Sequence, residues 1–317
     1  MKKFLLLGLL WLGTIYADAE TVEPLKYGDF ENWVTRNITE SKVLGGKTKQ
    51  VYEIAPEATI DGNKVYHNAG GSPWATSNVM ANVMGIIKAS NTVFPEHYPD
   101  GGRYCKLCTM IERVKVLGVV NLNVLVSGSI YLGYNIEPIR NTSSPYSKME
   151  MGVPFSRRPK ALRLDYAVEM PENGQRIRAT GTSTKNLPGT DCTEVYILLQ
   201  RRWEDADGNI YAKRVGTGRE RYGKSTPGWI RRHDIPVMYG DITSDPGYKP
   251  FMGLIPESRS YYARNSKGKM VAVKEVGWDS PDATPTHMLI MASSGSGVAY
   301  EGIPGMTLMV DNLALVY

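Results

Sequence analysis

The chain has 317 residues, a formal net charge of +5, and abundant glycine (32), proline (19) and tyrosine (19). So mild a charge gives no argument for nucleic-acid binding, and three cysteines are too few for a disulfide-held scaffold. Frequent turn residues together with many tyrosines are typical of a β-rich protein.

Residues 1–19 have the features of a secretory signal peptide. Lys2 and Lys3 precede a short apolar run, and Ala17-Asp18-Ala19 supplies small residues for cleavage. The run is too short to span a membrane. A lipoprotein anchor is not expected, because there is no cysteine near the cleavage site. We expect cleavage near Ala19 and export to the periplasm, the cell surface or the medium, with no integral membrane segment.

The remaining residues, 20–317, are predicted to form one domain built from strands. Period-two alternation of apolar residues predicts strands over 161–170, 194–203, 287–293 and 305–317, and two strands joined by a tight connection over 114–133. One short helix is predicted over 77–87. Residues 240–285 are less regular and are predicted to be an insertion or a long loop excursion. Many short strands with turn residues between them favour a sandwich or a barrel.

The cysteines do not form a recognisable metal or redox site. Cys105 and Cys108 have the CxxC spacing, but no second pair or matching histidine accompanies them. If this segment is a strand, residues three apart point to opposite faces, so the two sulfurs cannot share a metal. We interpret them as ordinary buried or half-buried cysteines, with a disulfide from Cys192 to one of them as the alternative.

Hydrolytic chemistry would need two facing carboxylates. The cluster at 204–207 precedes Gly-Asn and is therefore interpreted as a solvated turn. Glu275 and Asp279 have the parity to face one way on a strand, with Trp278 beside them as a sugar platform, but the pattern is not specific. No serine motif has the context of a nucleophile, and the four histidines lack metal-pair spacing.

Basic residues and tryptophans provide the binding signals. Between Arg201 and Asp234 there are nine Lys/Arg and five Asp/Glu, which either attract an anionic polysaccharide or form solvated hairpin faces. Tryptophans in loops are candidate platforms for sugar rings, although any of them could instead belong to the core. These candidates are Trp33, Trp74, Trp229 and Trp278.

Several segments occur in an order that resembles a known family. They include "GDFENW" (28–33), "SPWATSN" (72–78), "GVPFSRRPKALRLDY" (152–166), "PGWIRRHDIPVMY" (227–239), "MLIMASSGSG" (288–297) and "GMTLMVDNLALVY" (305–317). This order closely resembles the putative carbohydrate metabolism domain family of Bacteroidetes exported proteins. The resemblance runs from about residue 28 to the end.

The resemblance implies an all-β fold, a two-sheet antiparallel jelly roll similar to carbohydrate-binding modules. It implies an exported carbohydrate-binding protein that takes part in glycan capture or polysaccharide metabolism. The alternatives are a glycoside hydrolase or lyase, and a structural or adhesin-like surface component. Noncatalytic binding is favoured because no catalytic pair is evident.

The expected partner is a glycan or polysaccharide, and no cofactor is required. Trp74, Trp229 and Trp278 are the predicted sugar-stacking residues, and Asn78 and Arg158 the predicted hydrogen-bonding ones, with Arg158 as a structural clamp the alternative. "GDFENW" also resembles the first strand of galactose-binding-like modules. That likeness implies Glu31 and Asp311 as candidate ligands of a structural calcium ion, for which oxygen ligands are suited.

The closing strand is predicted to be covered on both faces. Regular alternation places Leu308, Val310, Ala314 and Val316 on one face and Asp311 with Leu313 on the other. A carboxylate buried there needs a partner. We expect Asp311 to meet a cation, a basic side chain or backbone N–H groups from the first strand or its loop.

Overall fold

A computed structural model describes residues 20–116, 120–296 and 298–317, so the predicted signal peptide lies outside the described residues. These residues contain short 3-10 helices at Lys42–Leu44, Pro145–Lys148, Pro250–Met252 and Glu257–Arg259, and no α-helix. Nothing in the described ranges is a helix long and apolar enough to cross a membrane.

The strands, in chain order, are β1 Val22–Pro24, β2 Trp33–Thr39, β3 Thr48–Ile54, β4 Ala58–Asp61, β5 Trp74–Thr76, β6 Val79–Val83, β7 Ile86–Ser90, β8 Val93–His97, β9 Arg103–Cys108, β10 Met110–Val116, β11 Val120–Val126, β12 Ser129–Asn135, β13 Met149–Met151, β14 Val153–Pro154, β15 Ala161–Glu169, β16 Ile177–Thr180, β17 Ser183–Asn186, β18 Thr193–Glu204, β19 Ile210–Tyr222, β20 Ile230–Pro236, β21 Met238–Tyr239, β22 Tyr262–Arg264, β23 Met270–Trp278, β24 His287–Ser293, β25 Glu301–Gly302 and β26 Thr307–Val316. The predicted all-β class is confirmed.

Two large sheets organise the molecule. The first has the order β20-β15-β26-β9-β8, with β1 also on β26. In the second, β24-β18-β19-β23-β22-β13-β12 follow one another, and β12 pairs again with β24. That last pairing closes seven strands into a ring, so the second sheet includes a barrel rather than only one flat layer of a sandwich.

The main core lies between the first sheet and the outside of the barrel. It combines Leu162 and Leu164 of β15 with Val195 and Ile197 of β18 and Ile290 of β24. The opposite side chains of β18 and β24 point into the barrel, because successive residues of a strand face opposite ways. That interior is filled by a second cluster that includes Tyr131, Tyr196, Leu198, Leu289 and, from the segment between β21 and β22, Ile255.

The predicted helix over 77–87 is wrong. These residues form the hairpin β6–β7, whose turn residues Met84 and Gly85 both have positive φ, at 52° and 82°. Two successive residues with positive φ make the hairpin turn that matches the twist of its strands. Gly85 is the usual residue at the second position of such a turn, but Met84 is unusual at the first, so the pair lacks the Asn-Gly or Asp-Gly signal.

The alternation of the last strand is interrupted at Asn312. The pairing of β26 with β15 shifts between Arg163 and Asp165, and Asn312 has a left-handed φ of 53°. This extra residue forms a bulge, after which the faces of the strand are exchanged. Leu313 therefore joins Leu308 in the main core, and the prediction that Ala314 shares that face is wrong.

Candidate functional site

The mouth of the barrel is floored by a row of polar side chains. Ser129 of β12 lies opposite Ser293 of β24, which lies opposite Glu194 of β18, which lies opposite Arg221 of β19. Ser77 extends the row, because its N–H donates to the carbonyl of Ser129 at 2.8 Å. Regular strand pairing therefore fixes the spacing of these groups at about 5 Å.

A second row lies one step deeper in the barrel. Tyr131, Met291, Tyr196 and Arg219 occupy consecutive strands in register. The hydroxyl of Tyr196 contacts that of Tyr261, which follows the 3-10 helices, and lies 3.0 Å from the sulfur of Met291. Tyr131 and Tyr196 are 0% exposed and lie beneath the floor, so the groups at this level that line the cleft are Met291, Arg219 and Tyr261.

Glu194 is the electrostatic centre of the floor. Its carboxylate accepts hydrogen bonds from Arg219 Nε and Nη2 at 3.0 and 2.9 Å and from Arg221 Nε at 2.7 Å. Burial alone would lower the pKa of Arg219, but the charge and hydrogen bonds of Glu194 raise it above its ordinary value. Arg219 therefore stays charged at any physiological pH.

The walls of the cleft come from three irregular segments. Phe251 and Ile255 form one side, and Tyr146 and Tyr300 form the other. The guanidinium of Arg221 lies 4.7 Å from the centre of the Phe251 ring. The volume of the cleft is about 630 Å³, within the usual range of ligand-binding pockets. Hydroxyls, aromatic faces and a charged group thus converge on a space large enough for a small oligomer.

Two of the predicted binding residues are buried in the core. Trp74 is 1% exposed, and its indole N–H donates to the carbonyl of Lys26 at 2.8 Å. Asn78 is also 1% exposed, and its side-chain amide is hydrogen-bonded to backbone groups of Tyr52, Thr92 and Val93. Neither can contact a ligand on the surface, so these two predictions are wrong.

Arg158 holds a loop. It donates to the carbonyls of Pro281 and Ala283, the latter at 2.6 Å, and its guanidinium lies 3.9 Å from the centre of the Tyr239 ring. The clamp alternative describes these contacts better than a free sugar-binding group. Trp278 is half-buried, with the guanidinium of Arg214 at 5.7 Å from its ring centre.

Glu275 and Asp279 do not form a catalytic pair. Glu275 accepts hydrogen bonds from Arg214 at 2.8 Å and from the N–H of Ile255 at 2.6 Å. Asp279 instead binds Arg201, at 3.0 Å for the longer of their two bonds. The two carboxylates are thus committed to different arginines.

Trp229 belongs to an aromatic cluster on the outer side of the first sheet. Its ring centre lies 5.2 Å from that of Tyr98 and 5.1 Å from that of Tyr104, and Arg231 stacks on it at 4.7 Å. None of these residues lines the cleft at the mouth of the barrel. The predicted tryptophans are therefore not brought together at one site.

Glu31 and Asp311 have separate hydrogen-bond partners. Glu31 accepts from the backbone N–H of Arg103 at 3.0 Å, and Asp311 accepts from the Tyr98 hydroxyl at 2.9 Å. The partner of Asp311 thus comes from the loop between β8 and β9, not from the first strand. Within the described ranges, no group of three or more His, Cys, Asp or Glu side chains is placed to hold a metal ion. Calcium binding stays a prediction.

The cysteines alternate across β9. Cys105 is fully buried in the main core, Cys108 is half-buried on the other face, and burial raises the pKa of both thiols. All three cysteines, including Cys192, are free thiols in the structure.

Sequence reasoning did not single out Glu194, Arg219 or Arg221. The available signals were the basic stretch at 201–234, which contains both arginines, and the alternation of 194–203, which places Glu194 on the face of Tyr196. Neither signal shows that this face lines a barrel, because closure depends on the pairing of β12 with β24.

Comparison with known proteins yields only distant similarity. No protein-family model matches the chain, and no curated protein matches it at a significant level. A solved structure from Bacteroides thetaiotaomicron VPI-5482, named a "putative glycoside hydrolase", is 15% identical, with a TM-score of 0.45 over 86% of this chain and 76% of that chain. Another of the same name, from Bacteroides vulgatus ATCC 8482, is 12% identical, with a TM-score of 0.42 over 93% and 94% of the two chains. Both TM-scores are too low to establish a common fold.

Proposed function

We propose that this protein is a carbohydrate-binding protein and that the cleft at the mouth of the barrel is its glycan-binding site. The observation that carries the proposal is the lining of the cleft, where a row of hydroxyls and charges on the floor shares one space with the aromatic side chains of Tyr146, Phe251, Tyr261 and Tyr300. Sugars need both surfaces, because their C–H faces pack on apolar groups while their hydroxyls need hydrogen-bond partners. Side chains fixed on paired strands offer these contacts with little ordering cost.

Binding without catalysis is favoured by the state of the carboxylates in the cleft. Glu194 is held by two arginines, and Glu301 is held by Arg176 at 2.8 Å and Arg178 at 3.4 Å. A glycosidase needs one carboxylic acid that can give up a proton and one carboxylate free to act as base or nucleophile. Among the described lining residues, the two carboxylates are instead occupied by guanidinium groups.

A glycan array followed by calorimetry on any bound oligosaccharide tests this proposal. Phe251→Ala removes an aromatic wall, and we expect affinity to fall about tenfold, as for a central aromatic contact. Phe94→Ala, which changes a half-buried phenylalanine away from the cleft, is the matched control and should bind like the unmodified protein. Silence across plant, host and bacterial glycans would contradict the proposal and favour a structural or adhesin-like role.

One observation favours the alternative of a glycoside hydrolase. Asp165 and Asp311 lie opposite each other, and both accept a hydrogen bond from Asn312 Nδ2 at 3.0 Å, so the accepting oxygens are at most about 6 Å apart. Burial raises the pKa of Asp311 to about 6, whereas burial of Asp165 is outweighed by hydrogen bonds that lower its pKa. Carboxylates with pKa values pushed apart are typical of an acid and base pair.

Release of reducing ends from a polysaccharide tests the hydrolase alternative. If Asp165 and Asp311 are catalytic, Asp311→Asn abolishes release, while Asp100→Asn at an exposed loop position leaves it unchanged. The absence of release by the unmodified protein on every polysaccharide that it binds would leave binding as the function.

The proposal extends to fold, location and metal content. We propose that the chain is an exported relative of the jelly-roll carbohydrate proteins that it resembles, with calcium near Glu31 and Asp311. Ligand binding to the native state raises the melting temperature. An unchanged melting temperature after a chelator is added would remove the calcium hypothesis.

A further inference from the structure

The cleft proposed above as the glycan site is surrounded by an excess of positive charge. Glu194 is shared by two arginines on the floor, and Glu301 on the wall is shared by two more. Asp191 lies behind the wall, where it accepts from the hydroxyl of Ser296 at 3.1 Å. The charged residues that line the cleft are Arg219, Arg221, Arg259, Glu194 and Glu301, a net charge of +1. With Arg176 and Arg178, which pair with Glu301, and Asp191, which binds Ser296, the net charge is +2.

The two floor arginines are held in fixed orientations. Arg219 stacks on Tyr196 at 5.0 Å, and Arg221 stacks on Phe251 at 4.7 Å. Arg221 is fixed further by donating to the carbonyl of Ser296 at 3.1 Å. A guanidinium that is already ordered loses little entropy when it binds an anion, so such a pair is well suited to recognising one.

The positive charge of the two floor arginines is only partly neutralised. One carboxylate cannot cancel two guanidinium charges, so the Glu194 cluster keeps a unit positive charge beside the open volume. Arg259, an exposed wall residue, makes no ion pair with any residue that the structure describes. A neutral sugar would leave this charge without a partner, whereas an anionic sugar would supply one.

We infer that the ligand of this cleft is an acidic glycan. Its anionic group, the carboxylate of a uronic acid or a sulfate ester, docks between Arg221 and Arg259, and neutral hydroxyls of the adjoining sugar meet the serine row. Planar carboxylates match the guanidinium fork in two parallel hydrogen bonds. This inference rests on the proposed function, because it names the class of glycan for the same site.

Matched pairs of oligosaccharides separate acidic from neutral recognition. Oligogalacturonate is compared by calorimetry with the same oligomer reduced to neutral galactose units, and a sulfated oligosaccharide is compared with its desulfated form. We expect an acidic member to bind at least about tenfold more tightly than its neutral counterpart. That advantage should shrink at high ionic strength, because salt screens exposed charges. The member of the two pairs that shows it identifies the anion as carboxylate or sulfate.

Variants assign the effect to the cleft. Arg259→Gln changes an exposed residue outside the Glu194 cluster, so folding should be retained while the acidic oligosaccharide loses about tenfold in affinity. Arg221→Lys keeps the charge and should lose part of the affinity, because ammonium cannot form the two-pronged contact. Arg157→Gln, at an exposed arginine paired with Glu23 elsewhere, is the control and should change nothing.

The outcomes distinguish two levels of failure. If neutral and acidic members of both pairs bind with equal affinity, or Arg259→Gln has no effect on acidic binding, the acidic-glycan inference is overturned while glycan binding stands. If the protein binds only neutral glycans on the array, the acidic-glycan inference is likewise overturned. If neither pair of oligosaccharides binds and the array is also silent, the proposed function itself fails.

Discussion

Asp311 shows how the environment of one residue couples the fold to pH. It lies opposite Asp165 on the neighbouring strand β15, and the amide of Asn312 donates to both carboxylates. Arg231 binds Asp165 at 3.0 Å, whereas Asp311 receives the neutral hydroxyl of Tyr98. Because Arg231 is paired with Asp165, the negative charge of Asp311 is the less compensated of the two, and burial raises its pKa.

We predict that Asp311 makes the fold less stable as pH rises from about 4 to about 6. Burial raises its pKa from 3.8 to about 6, so the native chain holds this proton more tightly than the unfolded chain does. The stabilisation is complete below about pH 4 and is lost above about pH 6, a change of about 3 kcal/mol in the free energy of unfolding. Urea unfolding of Asp311→Asn, whose amide is neutral at every pH, should lack this decline.

The control for this pH profile is Asp100→Asn at an exposed loop position. It should keep the profile of the unmodified protein, including contributions from other groups such as Glu53, whose pKa burial raises to about 8. An Asp311→Asn variant with an unchanged slope between pH 4 and 6 would show that Asp311 is already ionised there in the native state.

At the residue scale, sequence predicts chemistry better than exposure. The need of Asp311 for a partner followed from the cost of a buried charge, but the partner, Tyr98, is more than two hundred positions away. Trp74 and Asn78 were predicted to bind ligand because a tryptophan ring can stack on a sugar and an asparagine amide can hydrogen-bond to its hydroxyls. Their burial is set by strands β3, β5 and β8, whose relative positions no local pattern reveals.

The last strand, β26, is regular except for the bulge at Asn312. Nine of its ten residues are buried, and only Asn312, at the bulge, is exposed. Its φ of 53° lies in the left-handed region, where asparagine is tolerated and β-branched residues are strained. The bulge brings Leu313 into the core and leaves the Asn312 amide between the two carboxylates.

We predict that this position tolerates glycine better than valine. Asn312→Gly keeps the backbone conformation but loses the amide bridge, at about 1 kcal/mol. Asn312→Val loses the bridge and also strains the backbone. Its free energy of unfolding should therefore be about 1–2 kcal/mol lower than that of Asn312→Gly. Urea denaturation of both variants measures the difference.

Met309→Val serves as the control for the bulge, because Met309 lies on an extended part of the same strand. A β-branched residue suits extended backbone, so its cost should stay within about 1.5 kcal/mol. Equal stability of Asn312→Gly and Asn312→Val would mean that the strand can slip to a register without a left-handed residue.

At the element scale, long alternating segments were predictable and their interruptions were not. Strands β15, β18, β24 and β26 follow from period-two patterns of apolar residues. The bulge at Asn312 and the turn at Met84 depend on positive φ values that the identity of these residues does not predict. Each of those two positions inverted a predicted face or element.

At the scale of the whole molecule, the segment between β21 and β22 completes the barrel. Ile255 fills the interior, and Phe251 and Tyr261 line the cleft at its mouth. Closure of the ring joins β12 to β24, which are separated by more than one hundred and fifty positions. A contact of such long range could not be read from local pattern. The sequence therefore favoured a sandwich or a barrel without showing which strands close a ring, and the cleft was not predictable.

Glu275 ties this segment to the wall of the barrel. Its side chain is 1% exposed and binds Arg214 of β19, Gln200 of β18 and the N–H of Ile255. Burial alone would raise the pKa of Glu275, but Arg214 and the other donors lower it. This carboxylate therefore stabilises the fold above about pH 4.5 and loses that contribution as the medium is acidified.

We predict that Glu275→Gln loosens the cleft together with the fold. The change leaves the fully buried Arg214 without its counter-charge, which costs about 3–5 kcal/mol of the free energy of unfolding. Hydrogen exchange should rise over 250–261 before it rises in β18 and β24, because the segment has lost its backbone anchor while those strands keep their ladders. Urea unfolding and residue-resolved exchange measure the two effects.

Asp279→Asn provides the matched control, because Asp279 pairs with Arg201, whose side chain is 48% exposed. Such a pair contributes about 1 kcal/mol or less, so this variant should retain both stability and slow exchange over 250–261. If Glu275→Gln instead lowered stability while exchange over 250–261 rose no earlier than in the strands, the segment would unfold only with the whole barrel. The walls of the cleft would then be as rigid as its floor, and a ligand would have to enter a preformed site.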